Sequence, residues 1–305
     1  MKPIFVGRNG LRAGWRLLIF VALVVVLLGS FLLIRSGGLQ GLLEAQKHAA
    51  EITVTPLLMF KSEAAAFVLL CVAALIMGKI EHRKFSEYGL PLRLALGRNF
   101  WIGLLSGFTA ISGTLLTMFL LHGFRITGLA MHGTTILSSM VAWGAAFLMV
   151  GLFEEFLFRG YAQYTLASGI GFWPATFVMA GLFAFGHSFN ANETPVGVVA
   201  TGLFALLFCL FLRRTGNLWL AVGFHASWDW GQTLYGVPDS GLLPYHSVFS
   251  SAFSGPRWLT GGIVGPEASV LTPIALLVVA LLFNRYYREN RHPILTPGSS
   301  PVTVA

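Results

Sequence analysis

From Leu17 to Ile34 the chain runs without a charged side chain, and comparable apolar runs recur almost to its far end. No other feature constrains folding as much, because such a run is long enough to cross the hydrocarbon core of a bilayer as a helix. Lipid offers no water to unpaired backbone groups, so a spanning segment is either helical or part of a closed barrel. These runs are continuous rather than alternating, which selects the helix. Composition agrees: 55% of the 305 residues are hydrophobic, 10% are charged, and mean hydropathy is +0.74. Soluble domains carry about 25% charged residues. The expected fold is all-α, a polytopic membrane bundle of about eight transmembrane helices.

The spans are read at about 17–34, 63–79, 99–121, 135–167, 172–189, 196–212, 217–235 and 268–283. Lys2, Arg8, Arg12 and Arg16 precede the first as in a signal peptide, but no small-residue cleavage site follows before Arg35, so the span is read as uncleaved. Leu39, Leu42, Leu43 and Ala50 recur at helical spacing beside Glu44, Gln46, Lys47 and Glu51, as in a helix lying on the membrane surface. Gly103 and Gly107 form a GxxxG that favours close helix contact. The connection 236–267 is too long for a plain turn and is expected to pack over one mouth of the bundle. The chain therefore divides into residues 1–134 (N-terminal transmembrane helices with a surface segment), 135–235 (a helical core carrying the polar motifs), 236–290 (an external connection and the last span) and 291–305 (a tail expected to be disordered).

The formal charge of +8 does not imply a nucleic-acid partner, because the bases cluster at span ends rather than along one stripe. Of the 20 Lys and Arg, fourteen fall at the N-terminus, in 79–98, at 213–214 and in 285–291; five (Arg35, Lys47, Lys61, Arg125, Arg257) fall in the alternate connections, and the twentieth is Arg159. By the positive-inside rule both termini are cytoplasmic. The expected setting is a multi-pass protein of a bacterial cytoplasmic membrane with the lipid bilayer as its partner. Cys71 and Cys209 sit in apolar runs without metal or redox spacing and read as packed thiols.

Against this background Gly151-Leu-Phe-Glu-Glu-Phe-Leu-Phe-Arg-Gly160 is costly, since ionisable groups at membrane depth are rare and by default functional. Glu155 and Arg159 are four apart and can pair, whereas Glu154 points about 100° away without a local partner. Apart from Glu155, the acids well inside spans are Glu154 and Asp229, and the histidines there are His187 and His225. The other acids, Glu63, Glu193, Asp239 and Glu267 among them, lie in loops or at span ends. A hairpin about the turn at 168–171 sets Glu154 level with His187, and His225 and Asp229 share a helix face. Taken singly, each residue has a plain reading as a core histidine, a helix-to-helix bond or a topology anchor. Together they are expected to line one cavity open to the cytoplasmic half.

Three motifs, Glu154-Glu155-Phe-Leu-Phe-Arg159, Phe183-Ala-Phe-Gly-His187 and His225-Ala-Ser-Trp-Asp229, stand in order over about residues 140–235. In this the sequence resembles the CPBP intramembrane proteases, the CAAX prenyl protease and bacteriocin-processing family. The resemblance implies hydrolysis of a peptide bond in a membrane-associated protein or peptide. In the preferred reading no cofactor is required: Glu154 and His187 hold and activate a water, His225 donates to the oxyanion, and Asp229 sets the orientation of His225. Glu155, Arg159 and Phe183 support them. One alternative adds a zinc ion on His187, His225 and either Glu154 or Asp229. A second is a non-enzymatic membrane scaffold or bacteriocin-immunity protein that docks a partner on the same cluster. A third, a transporter with a proton relay, lacks an inverted repeat.

Overall fold

The computed structural model describes residues 6–7, 10–48, 53–190, 192–241 and 246–292. Its helices are α1 (Ala13–Arg35), α2 (Leu39–Lys47), α3 (Pro56–Glu81), α4 (Arg98–Leu120), α5 (Thr134–Leu157), α6 (Gln163–Ile170), α7 (Phe172–His187), α8 (Pro195–Thr215), α9 (Trp219–Tyr235) and α10 (Leu271–Tyr286). Local chemistry marks their limits. The hydroxyls of Thr55 and Thr194 accept from the N–H of Leu58 and Gly197, each just ahead of a proline that opens its helix. Gly216 and Gly236 end α8 and α9 in the left-handed region, at φ 72° and 68°, where a side chain would be strained.

The protein is a helical membrane bundle. Five segments are long and apolar enough to cross a membrane: α1, α3, α4, α5 continued through α6, and α8. Helices α7 and α10 have 16 residues and α9 has 17, below the roughly 20 that a full crossing takes. All eight apolar runs are thus helical, and three of the helices are shorter than a full crossing. The surface helix is present as α2, which buries no side chain; Ala50 and Glu51 lie outside the described residues.

Short strands and a π-turn depart from the all-α expectation. Strand β1 (Phe124–Leu129) pairs antiparallel with β2 (Phe249–Phe253) and ties the connection after α4 to the long one after α9. Between α5 and α6 the chain also makes a π-helical turn, Phe158–Ala162.

Glycines let α9 sit at the centre. A Cβ on Gly103 would lie 2.1 Å from the carbonyl oxygen of Leu220, and one on Gly107 2.3 Å from that of Phe224. Across the seam, a Cβ on Gly223 would lie 2.3 Å from the carbonyl oxygen of Phe100. The GxxxG thus lays α4 against the backbone of α9, and Gly151 admits α5 on another side, where a Cβ would meet the Val222 carbonyl at 3.0 Å.

The connections gather at two ends. At the base-rich end Glu81 bonds Arg16 (2.7 Å) and Tyr161, Leu218 N–H donates to Gly89, and the N–H groups of Arg291 and His292 donate to Arg213 (3.0 and 3.1 Å). Arg291 and His292 are therefore part of the fold, not the start of a disordered tail; residues 293–305 lie outside the described residues. The base-poor end holds the β1–β2 pair and the connections around 190 and 236–267.

Candidate active site

Helix α5 delivers two adjacent carboxylates that point apart. Glu155 is fully buried and shares its Oε1 between Arg159 Nη1 at 3.2 Å and His225 Nδ1 at 2.9 Å. Arg159 is buried as well, with its guanidinium 4.2 Å from the centre of the Phe183 ring. The pairing expected from helical spacing is present, and Glu155 also reaches across to α9.

Glu154 faces an open space. Its Oε2 lies 4.0 Å from His187 Nε2 and 3.7 Å from His225 Nε2, and its side chain is 23% exposed. His187 ends α7, and its Nδ1 lies 2.9 Å from the carbonyl oxygen of Phe183. A carbonyl only accepts, so Nδ1 carries the proton and Nε2 presents a lone pair toward Glu154 when the ring is neutral. This bond gives Phe183 and His187 their spacing of four, and the Phe183 ring packs on the imidazole at 4.4 Å.

The structure places Asp229 differently from expectation. The sequence reading has Asp229 set the orientation of His225; in the structure Glu155 binds Nδ1, while Asp229 Oδ2 stands 3.5 Å from Nε2 on the side that faces Glu154. The reason is the packing of Gly151 against α9, which brings the second glutamate of α5 within reach of that ring. His225 stacks on Phe208 at 5.4 Å and has carboxylates at both nitrogens, a setting in which each nitrogen donates.

Glu154, His187, His225 and Asp229 line one cavity of about 400 Å³. Sequence reasoning set Glu63, Asp239 and Glu267 aside as span-end or loop acids, yet they line the same cavity. For Asp239 and Glu267 the signal was an acid directly after a proline in an otherwise apolar connection; Glu63 carried none. Glu267 accepts from Trp228 Nε1 (3.3 Å), Gln232 Nε2 (3.0 Å) and Ser240 Oγ (2.6 Å). Asp239 accepts from the same Gln232 amide at 3.0 Å. Burial, reinforced by the charges of Asp229 and Glu267, pushes the Asp239 carboxyl well above its ordinary range. Burial also raises Glu193, against the Thr194 N–H that it accepts at 2.7 Å.

Of the donors anticipated for a metal, Glu154 Oε2 stands 4.0 Å from His187 Nε2 and 3.7 Å from His225 Nε2. Among the described residues the group of three whose ligand atoms all lie within 4.8 Å of one another is Asp229, Asp239 and Glu267, not His187, His225 and Glu154 or Asp229. The three oxygens are not zinc's preferred nitrogen and sulfur set, and Glu267 is already satisfied by three donors.

The cavity lies toward the base-poor end. Its lining draws on Met59 and Glu63 in the first turns of α3, on Asn190, and on Asp239, Ser240 and Glu267, all toward the base-poor end. None of it comes from the connections 82–97, 168–171, 213–218 or 287–292. At the base-rich end, toward which an opening is expected, the π-turn packs instead, with Tyr161 on Phe20 and Tyr88 at 4.3 and 5.0 Å.

No curated protein matches the chain. Residues 136–231 match the family model described as Type II CAAX prenyl endopeptidase Rce1-like. This segment holds α5 to α9 nearly whole and all three polar motifs. Residues 136–231 are thus similar to an Rce1-like domain, and the three motifs they hold are those that resemble the CAAX proteases.

Proposed function

We propose that the protein is an intramembrane endopeptidase that hydrolyses a peptide bond of a membrane-associated protein or peptide with a water activated by Glu154. The observation that carries this reading is the meeting of Glu154 Oε2 with the Nε2 atoms of two histidines in one cavity, at 4.0 and 3.7 Å. A water in that space accepts from neither carboxylate nor lone pair; it donates one proton to Glu154 and the other to His187 Nε2, which aims its oxygen at a peptide carbonyl. Attack forms the tetrahedral oxyanion as Glu154 takes the proton. His225, held through Nδ1 by Glu155, donates from Nε2 to that oxyanion. Glu154 then returns the proton to the departing amine, the C–N bond breaks, and acid and amine products leave. Glu155 and Arg159 are positioning residues in this scheme.

The test compares membrane proteomes of cells carrying wild-type protein or Glu154→Gln, followed by cleavage of the accumulated substrate by purified protein. A substrate that the wild type cuts and the variant leaves whole supports the reading. A folded Glu154→Gln protein that still cuts overturns it.

A further inference from the structure

Of the chain's 12 acids, Glu51 lies outside the described residues and ten have an ion-pair or hydrogen-bond partner there; Glu63 has neither. It sits two turns into the apolar helix α3, past the first turn in which a carboxylate gains from the helix dipole. Thr55 already caps that end. A carboxyl within a membrane span and without a partner is costly, and by default it marks a function.

The position of Glu63 says which function. It is half-buried, and with Met59, four residues earlier on the same face of α3, it lines the cavity of Glu154 and His187. Helix α3 packs on α5, and the charge that acts on Glu63 is that of Glu154. No Lys or Arg lines the cavity, and Lys61, two positions away, is exposed. The other acids of the lining are engaged: Glu267 and Asp239 accept from neighbouring side chains, while Glu154 and Asp229 stand beside His225 Nε2.

A polypeptide strand that reaches Glu154 needs an acceptor of this kind. At membrane depth each of its backbone N–H groups loses water and must be satisfied by the protein, and the surrounding helices use their own carbonyls internally. In an extended strand the N–H and C=O of one residue point to the same side. The residue whose carbonyl meets the water at Glu154 therefore turns its N–H toward the same wall, which α5 and α3 form together.

We propose that Glu63 is a substrate-binding residue, whose carboxyl group accepts the backbone N–H of the residue whose carbonyl is attacked. The inference rests on the proteolytic reading of the site, and it adds to that site a contact from α3, a helix outside residues 136–231.

The experiment reads binding apart from cleavage. A library of short peptides, prenylated and unprenylated, is captured on Glu154→Gln protein in detergent, and the tightest binder is remade as a series of esters that each lack one backbone N–H. Adding Glu63→Ala is expected to weaken binding of the parent peptide about tenfold or more, as for a lost hydrogen bond to a charged group. Glu63→Gln, which keeps an acceptor, should weaken it by less than about threefold. One ester should bind about tenfold more weakly than the parent peptide when Glu63 is present and equally well in Glu63→Ala, the coupling that marks a direct contact. Esters that lose the same affinity in both proteins, undiminished binding by Glu63→Ala, or a library from which nothing is retained each overturn the contact. Glu63→Met carries the same comparison if Glu63→Ala fails to fold. The bound peptide is then given to the wild type, where the cut is expected at the carbonyl of the residue whose ester couples; a cut elsewhere overturns the assignment. Coupling without any cut sinks the protease reading alone, and a cut without coupling sinks only the role of Glu63.

Discussion

The buried Glu155–Arg159 pair permits a prediction in which stability and activity part company. Both side chains have no exposure, and their charged atoms are 3.2 Å apart, which corresponds to about 5 kcal/mol of attraction at an effective dielectric of 20. Desolvation of the two ions offsets most of this, so the intact pair adds little net stability, whereas removing one partner strands a buried charge at a cost of about 3–5 kcal/mol. Arg159→Met and Glu155→Gln should each lower the melting temperature by on the order of 10 °C, using about 2–4 °C per kcal/mol for a chain of this size. The double variant Glu155→Gln/Arg159→Met should melt within a few degrees of wild type, because no charge is left stranded. Its cleavage should nonetheless be strongly impaired, since His225 Nδ1 has lost the carboxylate that lies 2.9 Å away. Thermal unfolding in detergent of the four proteins forms a double-mutant cycle. A coupling energy below about 0.5 kcal/mol, or a fully active double variant, would refute the assignment of Glu155 as both ion partner and histidine anchor.

Glu154→Gln keeps the shape of the site while removing its base, so turnover should vanish with melting unchanged within about 2 °C, a shift no larger than 1 kcal/mol. Gly107→Ala places a methyl 2.3 Å from the Phe224 carbonyl oxygen and the Ser227 hydroxyl; the helices must separate, and the loss of stability should be about 1–3 kcal/mol by thermal melting. For Asp239 the folded-state value lies above the unfolded one, so the folded protein binds more protons between the two and stability falls as pH rises through that window. Asp239→Asn, which keeps an acceptor for Gln232, should flatten that fall in melts taken from acid to neutral pH; an unchanged pH dependence would count against the raised Asp239.

What the sequence determined by itself was set by local rules. Apolar run length dictated helices and a membrane, because backbone groups in lipid must be satisfied within the segment. Spacing of four dictated the Glu155–Arg159 pair and the shared face of His225 and Asp229, because helical periodicity is a property of the backbone alone. The turn at 168–171 sufficed to set Glu154 level with His187. Other features needed the tertiary structure. Spacing along α9 made Asp229 the natural partner of His225, but the approach of α5 at Gly151 decided that Glu155 holds the ring. Asp239 and Glu267 joined the cavity through loops whose course no periodicity fixes, and the β1–β2 pair joined segments more than a hundred residues apart. The end toward which the cavity lies was likewise hidden, since base counts say which connections share an end, while packing such as that of Tyr161 on Tyr88 and Phe20 decides where the lining gathers. Contacts within one helix follow from spacing; contacts between elements depend on which surfaces can approach, and here glycines and aromatic rings made that choice.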